Sequence, residues 1–147
     1  MSVDENAEVY VKHRDDLLRY ATSLVGPSHA EDVVSTVVLR AMRRQPLSEI
    51  EKPHAYLMKA VLNECRSVWR RRSYVGIESV DTAQLPVEVT NTLDVVWKLP
   101  LKQRSVVYLF YWEDLPIAEI AELMGTAEGT VKRYLHNARN RLKDHLK

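Results

Sequence analysis

Val9, Leu17, Leu18, Ala21 and Leu24 recur at the three- and four-residue intervals that place side chains on one helical face, and Gly26-Pro27 ends the segment. A second stripe follows in Val33, Val34, Val37, Val38, Ala41 and Met42. Ser28 is its expected cap, and Glu31 and Asp32 in its first turn suit the positive end of a helix dipole. Four valines lower intrinsic helix propensity, so burial must hold this helix. Arg43, Arg44, Gln45 and Pro46 close it, and residues 45–52 read as a loop. Pro53 fits a first helical position. From there Tyr56, Leu57, Ala60, Val61, Leu62, Cys65, Val68 and Trp69 continue a long helix to Arg70-Arg71-Arg72. The spacing predicts a small helical bundle over 8–72.

Residues 73–90 lose the period and hold Gly76, Pro86 and three acids, which predicts a flexible linker. The second unit is expected over 91–147. Thr90 or Asn91 caps a helix through Leu99, Pro100 punctuates, and Lys102 to Trp112 forms another helix. Residues 117–136, IAEIAELMGTAEGTVKRYLH, fit a helix-turn-helix. Ile117, Ile120, Ala121 and Met124 face inward, Ala121 being small where a second helix crosses. Gly125 falls at the turn, where positive φ is needed. Thr126 is the expected cap of the second helix, and Val131, Leu135, Ala138 and Leu142 are its buried stripe. The fold class is therefore all-α: two small helical domains joined by a linker.

Composition narrows the class. Apolar residues are 46% and charged residues 28%, a globular balance that argues against disorder. Four Gly and six Pro supply too few turns for a sandwich of short strands. The single cysteine, Cys65, excludes a disulfide within the chain and a cysteine-based zinc site. The longest apolar run, Val106 to Trp112, is seven residues, far below the roughly 18–20 of a membrane span. The acidic stretch from Met1 to Glu8 lacks a signal-peptide pattern, so a cytoplasmic protein is expected. Acidic pairs such as Asp15-Asp16 and Glu31-Asp32 diverge on a helix, and the five histidines are scattered. No metal, cofactor or catalytic site is expected.

The net charge of +1 conceals alternating blocks. Residues 38–72 carry nine bases and three acids, and residues 132–147 carry six bases and one acid, while the remaining segments are acidic. Two basic faces suit a polyanion. On the last helix, Thr130, Lys132, Arg133, His136, Asn137 and Arg139 lie opposite the apolar stripe, as a major-groove reader requires. In the first unit, Tyr56, Trp69 and Tyr74 lie among Lys59, Asn63, Arg66, Arg70, Arg71 and Arg72, a mixture that stacks unpaired bases and holds their backbone. Core packing is the alternative role for Tyr56 and for Trp69.

The order of a single-strand-binding unit, a linker and a terminal helix-turn-helix resembles bacterial RNA polymerase sigma factors of the extracytoplasmic-function (ECF, sigma-70 group 4) family. The stretches that carry it are AEDVVSTVVLRAMRR (30–44), Pro53 to Asn63 leading into WRRR (69–72), LPLKQRSVVYLFYWEDLPIAEIAELMG (99–125) and GTVKRYLHNARNRLK (129–143). The resemblance implies that residues 8–72 are a sigma region 2 and 91–147 a region 4. Asp32, Val33, Arg40 and Arg43 would dock on the clamp helices of the polymerase's largest subunit. Tyr56, Lys59, Asn63, Arg66, Trp69 and Arg70 would line the single-stranded −10 element. The early helices of the second unit would dock on the flap of the second-largest subunit. Thr130, Lys132, Arg133, Tyr134, His136, Asn137 and Arg139 would read the −35 element. The implied function is promoter recognition, DNA melting and transcription initiation with core RNA polymerase, without membrane insertion. Control by an anti-sigma factor, often membrane-bound, is also implied. The alternative is a stand-alone helix-turn-helix regulator binding operators as a homodimer, for which no dimer helix is left over.

Overall fold

The computed structural model describes residues 3–75 and 99–146. The chain divides into two compact units, Met1–Glu78 and Ser79–Lys147. Most of the expected linker, and the expected helix between residue 91 and Leu99, lie outside the described residues. Among the described residues every regular element is helical.

The first unit contains α1 (Val3–Val25), α2 (Pro27–Arg44), a 3₁₀ turn (Leu47–Glu49) and α3 (Pro53–Val75). α1 starts earlier than the apolar stripe announced, because acids such as Glu5 and Glu8 suit the first turns of a helix. α3 runs three residues past Arg72, since no breaker intervenes before Gly76. The α1–α2 corner is made by Gly26 at φ 87°, a conformation that a side chain disfavours. Its N–H bonds the carbonyl of Thr22 at 2.9 Å, and its own carbonyl accepts the N–H of Ala30 at 3.1 Å. Gly26, not Ser28, therefore holds the cap position of α2, and Pro27 is its first residue.

Each of the three helices packs on the other two. Leu17, Tyr20, Ala21 and Leu24 of α1 meet Val33, Val34, Val37 and Ala41 of α2 and Leu57, Met58, Val61, Leu62 and Cys65 of α3, all buried. The valines of α2 thus find the burial their propensity demanded, worth about 1.5–3 kcal/mol for each fully buried side chain. Leu47 and Ile50 are also buried, which pins the α2–α3 loop to the bundle. Cys65 is fully buried and packs as a small, largely apolar group.

His13 is the buried polar exception on α1. Its ring lies 5.4 Å from that of His54, whose Nε2 is 3.2 Å from Asp16 Oδ2. Burial first, then the nearby His54 and Lys12, push the His13 imidazole below its ordinary value of 6.5, against the opposing pull of Asp16. The folded state therefore binds fewer protons than the unfolded chain just below pH 6.5. Stability contributed by neutral His13 is complete above that pH and is lost as pH falls toward the lowered folded value. A melting series from pH 7.5 to 5 should show a decline that is shallower in His13→Phe. Equal slopes would contradict the assignment.

The second unit contains α4 (Leu101–Tyr111), α5 (Ile117–Met124) and α6 (Glu128–Leu146). Pro100 occupies the cap position of α4, its carbonyl accepting the N–H of Arg104 at 3.0 Å. Asp114 turns the chain toward α5 at φ 53°, a region that Asp tolerates better than most residues. α6 packs on both α4 and α5. Leu99, Val107, Ala138 and Leu142 form one cluster of its core; Ile120, Ala121 and Met124 are buried as expected, whereas Ile117, at the first position of α5, is half-buried.

α5 ends in a left-handed residue, Gly125 at φ 66° and ψ 40°. The N–H of Gly125 bonds the carbonyl of Glu122 at 3.2 Å, and the N–H of Thr126 bonds that of Ala121 at 3.0 Å. This pair of bonds is a Schellman closure. Thr126 thus belongs to the end of α5. α6 opens at Glu128, with the carbonyl of Ala127 accepting the N–H groups of Thr130 and Val131 at 3.1 Å each. Nothing lies within 4 Å of a Cβ placed on Gly125, so its requirement is purely conformational. Gly125→Ala should cost about 1 kcal/mol, read as a melting point a few degrees lower.

Candidate nucleic-acid interfaces

α2 and α3 of the first unit enclose an open groove of about 350 Å³. Arg40 and Arg44, one helical turn apart, rise from α2. Tyr56, Lys59, Asn63 and Ser67 rise from α3, at spacings that share one face. Val37, Ala41 and Ala60 supply apolar lining. Tyr56 is 37% exposed, so its ring is available for stacking. Glu64 also lines the groove but is only 7% exposed. Its carboxylate accepts a hydrogen bond from Arg40 Nη1 at 2.9 Å and lies 3.6 Å from Arg71 Nη2. The groove therefore offers cations, a planar ring and an amide together, a combination suited to unpaired nucleotides.

In the second unit α6 buries Val131, Leu135 and Ala138, so its opposite face is open. Lys132, Arg133, His136 and Asn137 are exposed there, and Thr130 and Tyr134 are half-buried at its flanks. The Arg133 guanidinium stands 6.0 Å from the centre of the Tyr134 ring. His136 Nε2 is 3.2 Å from Asn140 Nδ2, an i,i+4 pair along the exposed face. The Schellman closure fixes the entry of α6 relative to α5, which is the geometry of a helix-turn-helix. An exposed helix face with donors and cations near its N-terminal half fits the major groove.

Both units have counterparts in known proteins. Residues 9–74 match the family model of sigma-70 region 2, and residues 93–142 match that of sigma-70, region 4. The chain is 36% identical to the RNA polymerase sigma-E factor of Streptomyces coelicolor, over 95% of this chain and 85% of that protein. This chain belongs to the ECF sigma factors of RNA polymerase. It is also 34% identical to the ECF RNA polymerase sigma factor SigL of Mycobacterium tuberculosis, over 88% of this chain and 82% of that one. In fold it is similar to the sigma factor RpoE of Bartonella quintana, solved in complex with the anti-sigma factor NepR. The TM-score is 0.80 at 24% identity, covering 98% of both chains. Like other sigma factors it binds core RNA polymerase and promoter DNA and directs transcription initiation. No helix among the described residues is long and apolar enough to cross a membrane.

Within this sigma factor the expected site residues separate. Tyr56, Lys59 and Asn63 share the groove, whereas Arg66, Trp69 and Arg70 are not among its lining residues. The Trp69 indole N–H donates to the carbonyl of Leu24 at 2.6 Å, tying α3 to the end of α1. Arg70 Nη2 donates to Ser67 Oγ at 3.1 Å, and Arg66 is half-buried. Asp32 and Arg43 are exposed on α2, but Val33 is 2% exposed and sits in the bundle core. Val33 therefore supports the expected docking face from inside and offers no surface of its own. Arg40, expected on that face, is instead drawn to Glu64 in the groove. Arg139 donates from Nε to the Tyr111 hydroxyl at 2.8 Å and lies 5.7 Å from the Phe110 ring centre. Its charge is thus shared with the end of α4.

Two polar groove residues escape the sequence reading, Ser67 and Glu64, whereas Arg44 stands at the basic helix end that suits a phosphate. Glu64 carried a signal, since it follows Leu57 and Val61 and precedes Val68 on the apolar stripe of α3. A carboxylate at a stripe position needs a cationic partner.

Proposed function

We propose that the two units divide promoter recognition between separated strands and intact duplex. Residues 8–72 act as region 2: the α2–α3 groove lines the non-template strand of the −10 element, with Tyr56 stacking on an unpaired base and Lys59 and Asn63 holding its neighbours. Residues 91–147 act as region 4. Lys132, Arg133, His136 and Asn137 read the −35 element, with Thr130 and Tyr134 at the margin and Arg139 against the adjoining backbone. Asp32 and Arg43 on α2 meet the clamp helices of the largest polymerase subunit, and the helices before the helix-turn-helix meet the flap of the second-largest.

The observation that supports this best is the exposed polar face of α6, set in place by Gly125 in a unit separate from the groove. Tethering two modest binding surfaces raises their joint affinity through effective concentration. Captured bases offset the few kcal/mol of unstacking that melting requires. The polymerase supplies the chemistry and this chain supplies recognition. An anti-sigma partner that withholds the chain from polymerase, at the membrane where that partner is membrane-bound, belongs to the same reading and rests on family membership.

Reconstitution with core polymerase on a randomised promoter library tests it. Two conserved boxes at −10 and −35 spacing are expected among transcribed templates. Binding of a palindromic duplex without polymerase would favour the homodimeric regulator instead.

Tyr56→Ala should weaken capture of the −10 strand by about tenfold, one base stack being worth about 1–3 kcal/mol, while Tyr56→Phe should retain it. Permanganate reactivity of −10 thymines in the open complex reads this directly.

A further inference from the structure

Glu64 is a carboxylate where the helix pattern calls for an apolar side chain. Buried ion pairs are often no more stabilising than well-packed apolar residues of the same volume, so stability alone does not explain it. Its partners are unusual in the opposite sense. The Arg40 and Arg71 side chains are 65% and 66% exposed, yet both guanidiniums turn toward this one buried group. They come from different helices, and Arg40 lines the groove beside Arg44 on α2, with Lys59 contributed by α3. Arginine matches a phosphate with the same N–H groups it uses for a carboxylate. Glu64 thus presents to both guanidiniums the kind of oxygen acceptors that a phosphate offers.

We propose that Glu64 is a built-in phosphate surrogate: it occupies Arg40 and Arg71 in the free chain and so limits indiscriminate adhesion of single strands to the α2–α3 groove. This rests on the groove being the single-strand site. A backbone phosphate must displace Glu64 to engage either arginine. Only a strand that also satisfies Tyr56, Lys59 and Asn63 gains enough to do so, and specificity arises as a difference between the two cases.

The test uses the full chain and fluorescein-labelled dT20 at 50–200 mM salt. Glu64→Gln keeps the shape and removes the charge. It should tighten dT20 binding about three- to tenfold at 50 mM. The slope of log K against log salt should steepen by about 0.7 for each arginine released. Adding Arg40→Gln to Glu64→Gln should remove about half of that gain. Arg71→Gln alone, which keeps the Arg40–Glu64 hydrogen bond, should leave the wild-type slope unchanged and serves if Glu64→Gln does not fold. A simple structural staple predicts a lower melting point for Glu64→Gln with equal or weaker binding, and that result overturns the proposal. So does a slope reduced by 0.7 in Arg71→Gln. Lys59→Ala separates the two levels. If it does not weaken dT20 binding, the groove reading has failed along with the surrogate. If it does, and Glu64→Gln shows no gain, only the surrogate is wrong.

Discussion

Replacing Lys132 and Arg133 together with alanine is expected to lower transcription from a −35-dependent promoter by about a hundredfold. Both side chains are exposed on α6, opposite buried Val131 and Leu135, so their removal leaves the core of the second unit intact. A good hydrogen-bonded pairing with a base edge carries about 1–3 kcal/mol of discrimination, and each 1.4 kcal/mol is tenfold. Two such pairings of about 1.4 kcal/mol each, within that range, give the stated factor. The single variants separate the roles. If the side chain binds phosphate on the duplex, removing it lowers the salt slope by about 0.9 and weakens all sequences alike. If it reads a base, removing it relaxes preference at one position of the −35 element. Run-off transcription across salt concentrations, with a small panel of −35 variants, distinguishes these results. Undiminished output from the double variant would remove α6 from the promoter.

Trp69→Ala is expected to destabilise the first unit by about 3 kcal/mol, at the low end for large aromatic truncations because the ring is only half-buried. The destabilisation has two sources. The half-buried ring loses its burial, and its N–H no longer satisfies the Leu24 carbonyl in the last turn of α1. Trp69→Phe should keep much of the packing without the hydrogen bond, costing about 1 kcal/mol. Urea unfolding of the full chain measures both. A role in gripping single strands predicts the reverse pattern: small stability changes, a large drop in −10 binding in Trp69→Ala and near-normal binding in Trp69→Phe. Against the total stability of about 5–15 kcal/mol of an ordinary domain, a loss of this size is a large fraction and shows as a lower urea midpoint.

Three other sites show why side-chain chemistry alone misplaces a residue. Val33 was legible as part of an apolar stripe and also as part of a family docking segment, and burial gives the stripe precedence. Arg139 belongs by spacing to the outer face of α6, but long side chains reach sideways, and the Tyr111 hydroxyl and Phe110 ring lie within its range. Arg40 follows the same rule toward Glu64. In each case the helix position was correct and the direction of the side chain was set by a neighbouring helix.

Period and punctuation in the sequence determined the helical class, the two units and the places where one helix gives way to the next. These are local properties: helical spacing, Pro53 and Pro100 at helix starts, and glycine where φ must be positive at 26 and 125. The polar face of α6 was equally legible, because its buried stripe leaves only one side exposed. Which cations are available for nucleic acid was decided by tertiary packing alone. That choice depends on pairs distant in sequence, Arg40 with Glu64, Trp69 with Leu24 and Tyr111 with Arg139, and an arginine shows its partner only when another helix brings it within 3 Å.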